Sequence, residues 1–202
     1  CFVELIGMQK AMGSHIKNTT GMIEVQLIPQ LIELLKKYSS GTKIGYLKGD
    51  SLSSRKEAIF FEKALHVDIE SRFVSSIDEW EKSFLELQSK VDIVLLGNGS
   101  AIPNWDQNLS KIKNFVIQNT KIPSGSWDVG MSRLALVTYA TKPEEQGEWA
   151  AKTAIKILGG KDITSIKLVK NIQAESYLNM SLSKKLNVLF PFELIDRSKI
   201  VK

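Results

Sequence analysis

Along the chain, short β-branched runs alternate with stretches whose apolar residues recur at helical spacing. From about residue 43 this alternation predicts strands at 43–48, 69–75, 92–97 and 121–127, each but the last followed by a helix, and a further strand at 134–140. The arrangement is that of a parallel sheet covered on both faces. It assigns the chain to the α/β class, with an open, mostly parallel, doubly wound sheet.

Helix starts are read from polar residues placed before each apolar stripe. Ser54-Arg-Lys-Glu57 and Ser76-Ile-Asp-Glu79 read as capping boxes; the first opens a helix with Ala58, Phe61, Ala64 and Leu65 on one side, the second a helix with Trp80, Phe84 and Leu87 inward. Asn104 is the predicted cap of a helix carrying Ile112, Phe115 and Val116 inward. Thr141-Lys-Pro-Glu144 reads as a third capping box, ahead of a helix with Ala150, Ala151, Ala154, Ile155 and Leu158 on one face and Gly159-Gly160 at its end. A leading helix spans Gln26 to Tyr38, with Pro29 tolerated in its first turn. Cys1 to Gly7 reads as a strand, and 165–202 as strand segments with short helices.

Composition narrows the classes of function. With 43% hydrophobic and 24% charged residues in 202, the chain has enough apolar material for a folded core, which excludes a disordered polymer. No apolar run approaches the ~20 residues of a membrane-spanning helix. One cysteine, Cys1, and two histidines, His15 and His66, exclude an internal disulfide and supply too few ligands for a zinc cluster. The net charge is +5, of which residues 161–202 contribute +4, from eight Lys or Arg against four Asp or Glu. No aromatic-flanked basic motif accompanies that excess, so it reads as a solvated surface and no nucleic acid is expected as a partner.

Candidate chemistry lies in the loops after the strands, because ligands of open parallel sheets bind outside the carboxyl ends. Gly49-Asp-Ser-Leu-Ser-Ser54 leads into a helix start, where Ser51, Ser53 and Ser54 and free backbone amides favour a carboxylate or phosphate. Gly97-Asn-Gly-Ser100 contributes Asn98, Gly99 and Ser100, and the same loop runs on to Trp105. The fourth strand ends in Ser126-Trp127-Asp128. An anion site, the Asp128 carboxylate for a cation, and two indoles suit a zwitterion with an apolar or aromatic body, such as an amino acid.

Enzyme readings find no support. Gly97-Asn-Gly99 lacks the third glycine of a dinucleotide fingerprint, and Gly159-Gly-Lys-Asp162 lacks the spacing and hydroxyl of a phosphate loop. Neither histidine lies near a serine or cysteine in an elbow context, and Glu144 and Glu145 are accounted for by their place in the first turn of a helix. No catalytic residue, cofactor or metal site is expected.

The order of several motifs resembles a known family. Asn18-Thr-Thr-Gly21, the helix Gln30 to Lys36, Lys43-Ile-Gly-Tyr-Leu47, Val91-Asp-Ile-Val94, Ile122-Pro123 and Asp128 resemble the substrate-binding proteins of ABC transporters with the type I periplasmic fold. The branch that includes tryptophan- and phenylalanine-binding proteins is the most similar. Leu136-Val-Thr-Tyr139, Gln146-Gly147 and the run Ala150 to Gly159 resemble the family's strand, helix and glycine ending, and Asn179, Lys184-Lys-Leu186 and Pro191 its closing pattern. Ser183 and Asn187 depart from the usual alanine and glycine, though asparagine also tolerates the left-handed end of a helix.

The resemblance implies a clamshell of two α/β lobes, here incomplete, because about the first hundred residues of such a chain have no counterpart. On that basis 22–135 forms the main, second lobe, 1–21 and 136–164 are remnants of the first lobe and its crossover, and 165–202 is a C-terminal return segment. It implies a non-catalytic small-solute receptor working with an ABC permease in the periplasm or another extracytoplasmic space, with hinge closure completing the site. A ligand-sensing regulatory domain of the same fold is the alternative. The apolar face of the 144–158 helix would then lack its natural sheet, and a homodimer through that exposed remnant is expected to cover it.

Overall fold

A computed structural model describes residues 18–202. The predicted strand at Cys1 to Gly7 and the loop holding His15 lie outside the described residues. In chain order the elements are β1 (Met22–Ile23), α1 (Ile28–Leu35), β2 (Ile44–Gly49), α2 (Leu52–Leu65), β3 (Ile69–Val74), α3 (Ile77–Leu87), β4 (Ile93–Leu96), α4 (Leu109–Asn119), β5 (Ser124–Ser126), β6 (Val137–Thr141), α5 (Pro143–Leu158), β7 (Val169–Lys170), β8 (Ala174–Asn179), α6 (Met180–Leu186), α7 (Phe192–Asp196) and β9 (Lys199–Val201). The fold is α/β and the sheet mostly parallel and open, as the sequence pattern predicts.

The described residues divide into two compact units, one of residues 18–26 with 141–174 and the other of 27–140 with 175–202. The larger unit is built on a seven-stranded sheet in the order β3-β2-β4-β5-β6-β8-β9. Every register recorded in it, β2 with β3 and β4, β4 with β5, β5 with β6, and β8 with β9, is parallel. The four residues of β4 are all buried, which explains why its sequence is an unbroken apolar run. Helices α1 and α2 pack together on the side that contacts β5, β2 and β3, while α3 and α4 pair separately, with α3 also against β2 and β3.

Helices α1, α3 and α4 bury apolar stripes at helical spacing. Ile28, Leu31, Ile32 and Leu35 are the buried face of α1, with Pro29 in the first turn where no intrahelical N–H is needed. Trp80, Ser83, Phe84 and Leu87 form that of α3, and Ile112 and Val116 that of α4. At the α3 start Ser76 is the cap, as predicted, with its Oγ accepting from the Glu79 N–H at 3.2 Å, but the Glu79 carboxylate reaches one residue further back than a capping box requires and accepts from the Ser75 N–H at 2.8 Å. Asn187 ends α6 in the left-handed region, at φ 54°, as its side chain allows.

Three helix starts differ from the sequence expectation. Ser51, not Ser54, caps α2: its extended backbone lets Oγ accept from the Ser54 N–H at 3.0 Å. Starting one turn earlier turns Ser54, Glu57, Ala58 and Phe61 inward and leaves Ala64 exposed. Asn104 sits in the left-handed region at φ 59° and α4 begins only at Leu109, after a 3-10 turn over Asp106–Asn108. Asn104 contributes its carbonyl, which accepts from Asn108 Nδ2 at 2.9 Å. Thr141 caps nothing: its hydroxyl donates to Glu24 at 2.8 Å, and α5 starts on Pro143 behind Lys142.

In the smaller unit β1 and β7 form a parallel pair, and α5 packs against β1. Asn171 brackets Val25 with both ends of its amide, accepting from the Val25 N–H and donating to its carbonyl at 3.1 Å. The Glu145 carboxylate accepts from the Ile172 and Gln173 amides at 2.8–3.2 Å. The predicted inward face of α5 is not buried. Ala150, Ala151, Ala154, Ile155 and Leu158 are exposed, and Glu145 and Thr153 are the buried positions; among the described residues the sheet of this unit is the two-stranded β1–β7 pair.

Candidate functional site

The strand order turns at β2: the chain steps outward from β2 to β3, then returns to place β4 on the other side of β2. Such a reversal opens a crevice at the carboxyl ends of the two strands on either side of it. The loops after β2 and β4 are Gly49 to Ser54 and Gly97 to Ser100, two of the three segments singled out from the sequence. The first comes close to the continuation of the second, where a side chain on Gly49 would lie 3.0 Å from the Ala101 methyl.

The loops after β4 and β5 are joined by hydrogen bonds. Asn98 Nδ2 donates to Asp128 Oδ2 at 2.8 Å, and Ser100 Oγ donates to Asn98 Oδ1 at 2.7 Å. Beneath them Ser126 Oγ donates to the Leu96 carbonyl at 2.7 Å. Asp128 Oδ1 accepts from the Gly130 N–H at 2.8 Å, capping the short turn that follows. A carboxylate offers about four lone-pair sites, so Asp128 retains acceptor capacity beyond these two bonds. The loops thus hold a fixed, half-buried carboxylate.

The serines divide in role. Ser54 is buried, its hydroxyl 2.7 Å from that of Ser51, and serves the interior of the helix start. Ser51 is half-buried and Ser53 exposed. The Leu52 and Ser53 amides open α2 and have no intrahelical acceptor, which makes them the anion-attracting part of this loop.

The two indoles also divide. Trp105 is buried, its ring 5.4 Å edge-on to Trp80, and it fills the space over Gly99, where a Cβ would lie 1.9 Å from the indole. Its ring packs directly against the Asn98 to Ser100 loop. Trp127 is half-buried, stacked on Tyr46 with an interplanar angle of 12° and meeting Phe61 edge-on at 4.9 Å.

Sequence reading missed the polar group around Trp127. Lys48 Nζ stands 5.7 Å from the Trp127 ring centre and 2.7 Å from Glu57 Oε2. Tyr46 donates its hydroxyl to the same oxygen at 2.7 Å. Burial first, then the negative charge and hydrogen bond of Glu57, hold the Tyr46 phenol far above its ordinary range. The available signal was the inward register of α2, where Glu57 shares a face with Ala58 and Phe61, and the two-residue spacing that puts Tyr46 and Lys48 on one side of β2.

Two hollows lie apart from these side chains. A cavity of about 190 Å³ between the loops after β3 and β4, lined by Ser75, Ser76, Asp78, Pro103 and Asn104, falls below the ~300 Å³ at which ligand pockets begin. One of about 530 Å³ is lined by α5, β7 and the segment between them, including Trp149, Lys156 and Lys167, and takes in no strand end of the seven-stranded sheet. Among the described residues no group of three or more His, Cys, Asp and Glu side chains is placed to hold a metal. None of their helices is long and apolar enough to cross a membrane.

Residues 5–202 match the family described as ABC transporter substrate binding protein. Three solved structures share the fold, each covering 96% of this chain and 68% of its own. They are a Streptococcus pneumoniae ABC domain in complex with L-Trp (TM-score 0.61, 16% identity), the open, ligand-free form of a Clostridium difficile substrate binding protein with adhesive properties (0.71, 16%), and a conserved domain protein from Vibrio cholerae (0.57, 15%). No curated protein matches the sequence. At such identities the structural likeness establishes the fold, while the match along nearly the whole sequence establishes the kinship: the chain belongs to the substrate-binding protein family of ABC transporters.

Proposed function

We propose that the protein is a non-catalytic receptor for a small zwitterionic solute, an amino acid in the first instance, that serves an ABC importer outside the cytoplasm. The observation that carries this reading is the fixed Asp128 carboxylate, held by Asn98 at the end of β5 and preceded in the chain by the half-buried indole of Trp127. An ammonium group on Asp128 would make charge-assisted hydrogen bonds, the strong kind. The open amides of Leu52 and Ser53, with the Ser51 hydroxyl, suit the solute's carboxylate. Trp127 offers area and a π face to its body. The L-Trp complex of a relative with the same fold supports an amino acid over other solutes, and family membership supports the permease as partner.

The reading is tested by a thermal-shift screen of the protein against the standard amino acids and other small solutes. Stabilisation by an amino acid, lost in Asp128→Ala, is the expected result. A cooperative melt unmoved by every solute overturns it.

A further inference from the structure

The buried side of α2, formed by Ser54, Glu57, Ala58 and Phe61, carries a carboxylate. Glu57 is 8% exposed, and its Oε2 accepts from two donors on β2, the Tyr46 hydroxyl and the Lys48 ammonium, each at 2.7 Å. Both donors are in contact with Trp127. Tyr46 stacks on the indole at a centroid distance of 5.9 Å, and the Lys48 ammonium stands 5.7 Å from its centre. The Lys48 chain is fixed along its length as well, since it runs over Gly97, where a Cβ would lie 2.4 Å from it. Phe61, one turn beyond Glu57 on α2, meets the indole edge-on at 4.9 Å.

A buried ion pair gains little net stability against an apolar pair of the same size, since desolvation of both charges opposes their attraction. What this one does do is fix geometry: one carboxylate oxygen sets the position of a stacked ring and of a cation over the same indole. We propose that Glu57 is a positioning residue of the solute site, acting through Tyr46 and Lys48 to set the plane of Trp127 next to Asp128. The Lys48–Glu57 pair thereby determines the shape that the site accepts, favouring solutes with a flat or aromatic body that lies along the indole. This inference rests on the solute-site reading above and goes further by naming the residue that sets its selectivity.

The test compares the wild type with Glu57→Ala, Glu57→Gln and Tyr46→Phe by two readouts. One is calorimetric affinity for L-tryptophan and for L-alanine, chosen as a flat and a small solute. The other is the set of four indole N–H resonances, with that of Trp127 assigned by its disappearance in Trp127→Phe. Glu57→Ala is expected to displace the Trp127 resonance and to weaken L-tryptophan binding by about tenfold or more, the loss of roughly one hydrogen bond's net contribution, with L-alanine affected less. Glu57→Gln keeps an acceptor for both donors and is expected to restore most of the affinity and the resonance; Tyr46→Phe falls between. Unchanged ratios of the two affinities in folded Glu57→Ala and Glu57→Gln protein overturn the inference while leaving the solute site standing. Wild-type protein that binds neither amino acid overturns both.

Discussion

Asn98 Nδ2 donates to Asp128 Oδ2 over 2.8 Å and so joins the loops that leave two neighbouring parallel strands, β4 and β5. The bond orients a carboxylate that would otherwise rotate freely at a strand end. Asn98→Ala is therefore expected to lower stability by only about 1 kcal/mol but to weaken the solute-induced thermal shift markedly. Chemical denaturation beside thermal shift separates the two effects, and an undiminished shift would show that the orientation of Asp128 does not matter.

The helix start at Ser51 gives a second test. Ser51→Ala removes the side-chain acceptor of the Ser54 N–H and is expected to cost ~1 kcal/mol, with Ser51→Gly costing only a few tenths. Ser53→Ala, at an exposed position, is expected to leave stability within about 0.5 kcal/mol of wild type. Urea unfolding of the three variants reads the order directly.

Trp105 occupies the space above Gly99 so closely that a methyl group there would overlap the indole. Gly99→Ala is expected to destabilise by about 1–3 kcal/mol, and the cost in combination with Trp105→Leu is expected to be smaller than the sum of the two single costs. Additive costs in denaturant melts would mean that the loop yields without the indole.

Alkaline titration addresses Tyr46. Its folded-state pKa is raised, by burial first and then by Glu57, whereas in the unfolded chain the phenol titrates near its ordinary value of about 10. The unfolded state therefore releases its proton first: the contribution is fully present below pH ~10 and declines as pH rises above it. Phenolate absorbance of native protein is expected to lag behind that of unfolded protein. Tyr46→Phe is expected to flatten the fall of stability above pH ~10.

How much of this was legible beforehand follows from what each residue needs. Strands such as Ile93 to Leu96 announce themselves because burial on both faces demands apolar residues at every position. The Asn98 and Asp128 loops are singled out by their position after strands, where open parallel sheets take their ligands. Helix starts were less legible because several hydroxyls compete: Ser51, Ser53 and Ser54 can all cap, and the choice falls to the register that lets Glu57 and Phe61 face β2. Lys48 and Glu57 escaped notice for the same reason. They are nine positions apart and become partners only when α2 folds back over β2.

The measurement that bears most directly on the central claim is calorimetric titration of the protein and of its Asp128→Ala variant with L-tryptophan and the other standard amino acids. Saturable binding of at least one amino acid by the wild type, absent from a variant that still melts cooperatively, is the predicted result. Equal binding by both proteins, or by neither, would contradict the assignment of Asp128 as the ammonium site of an amino-acid receptor.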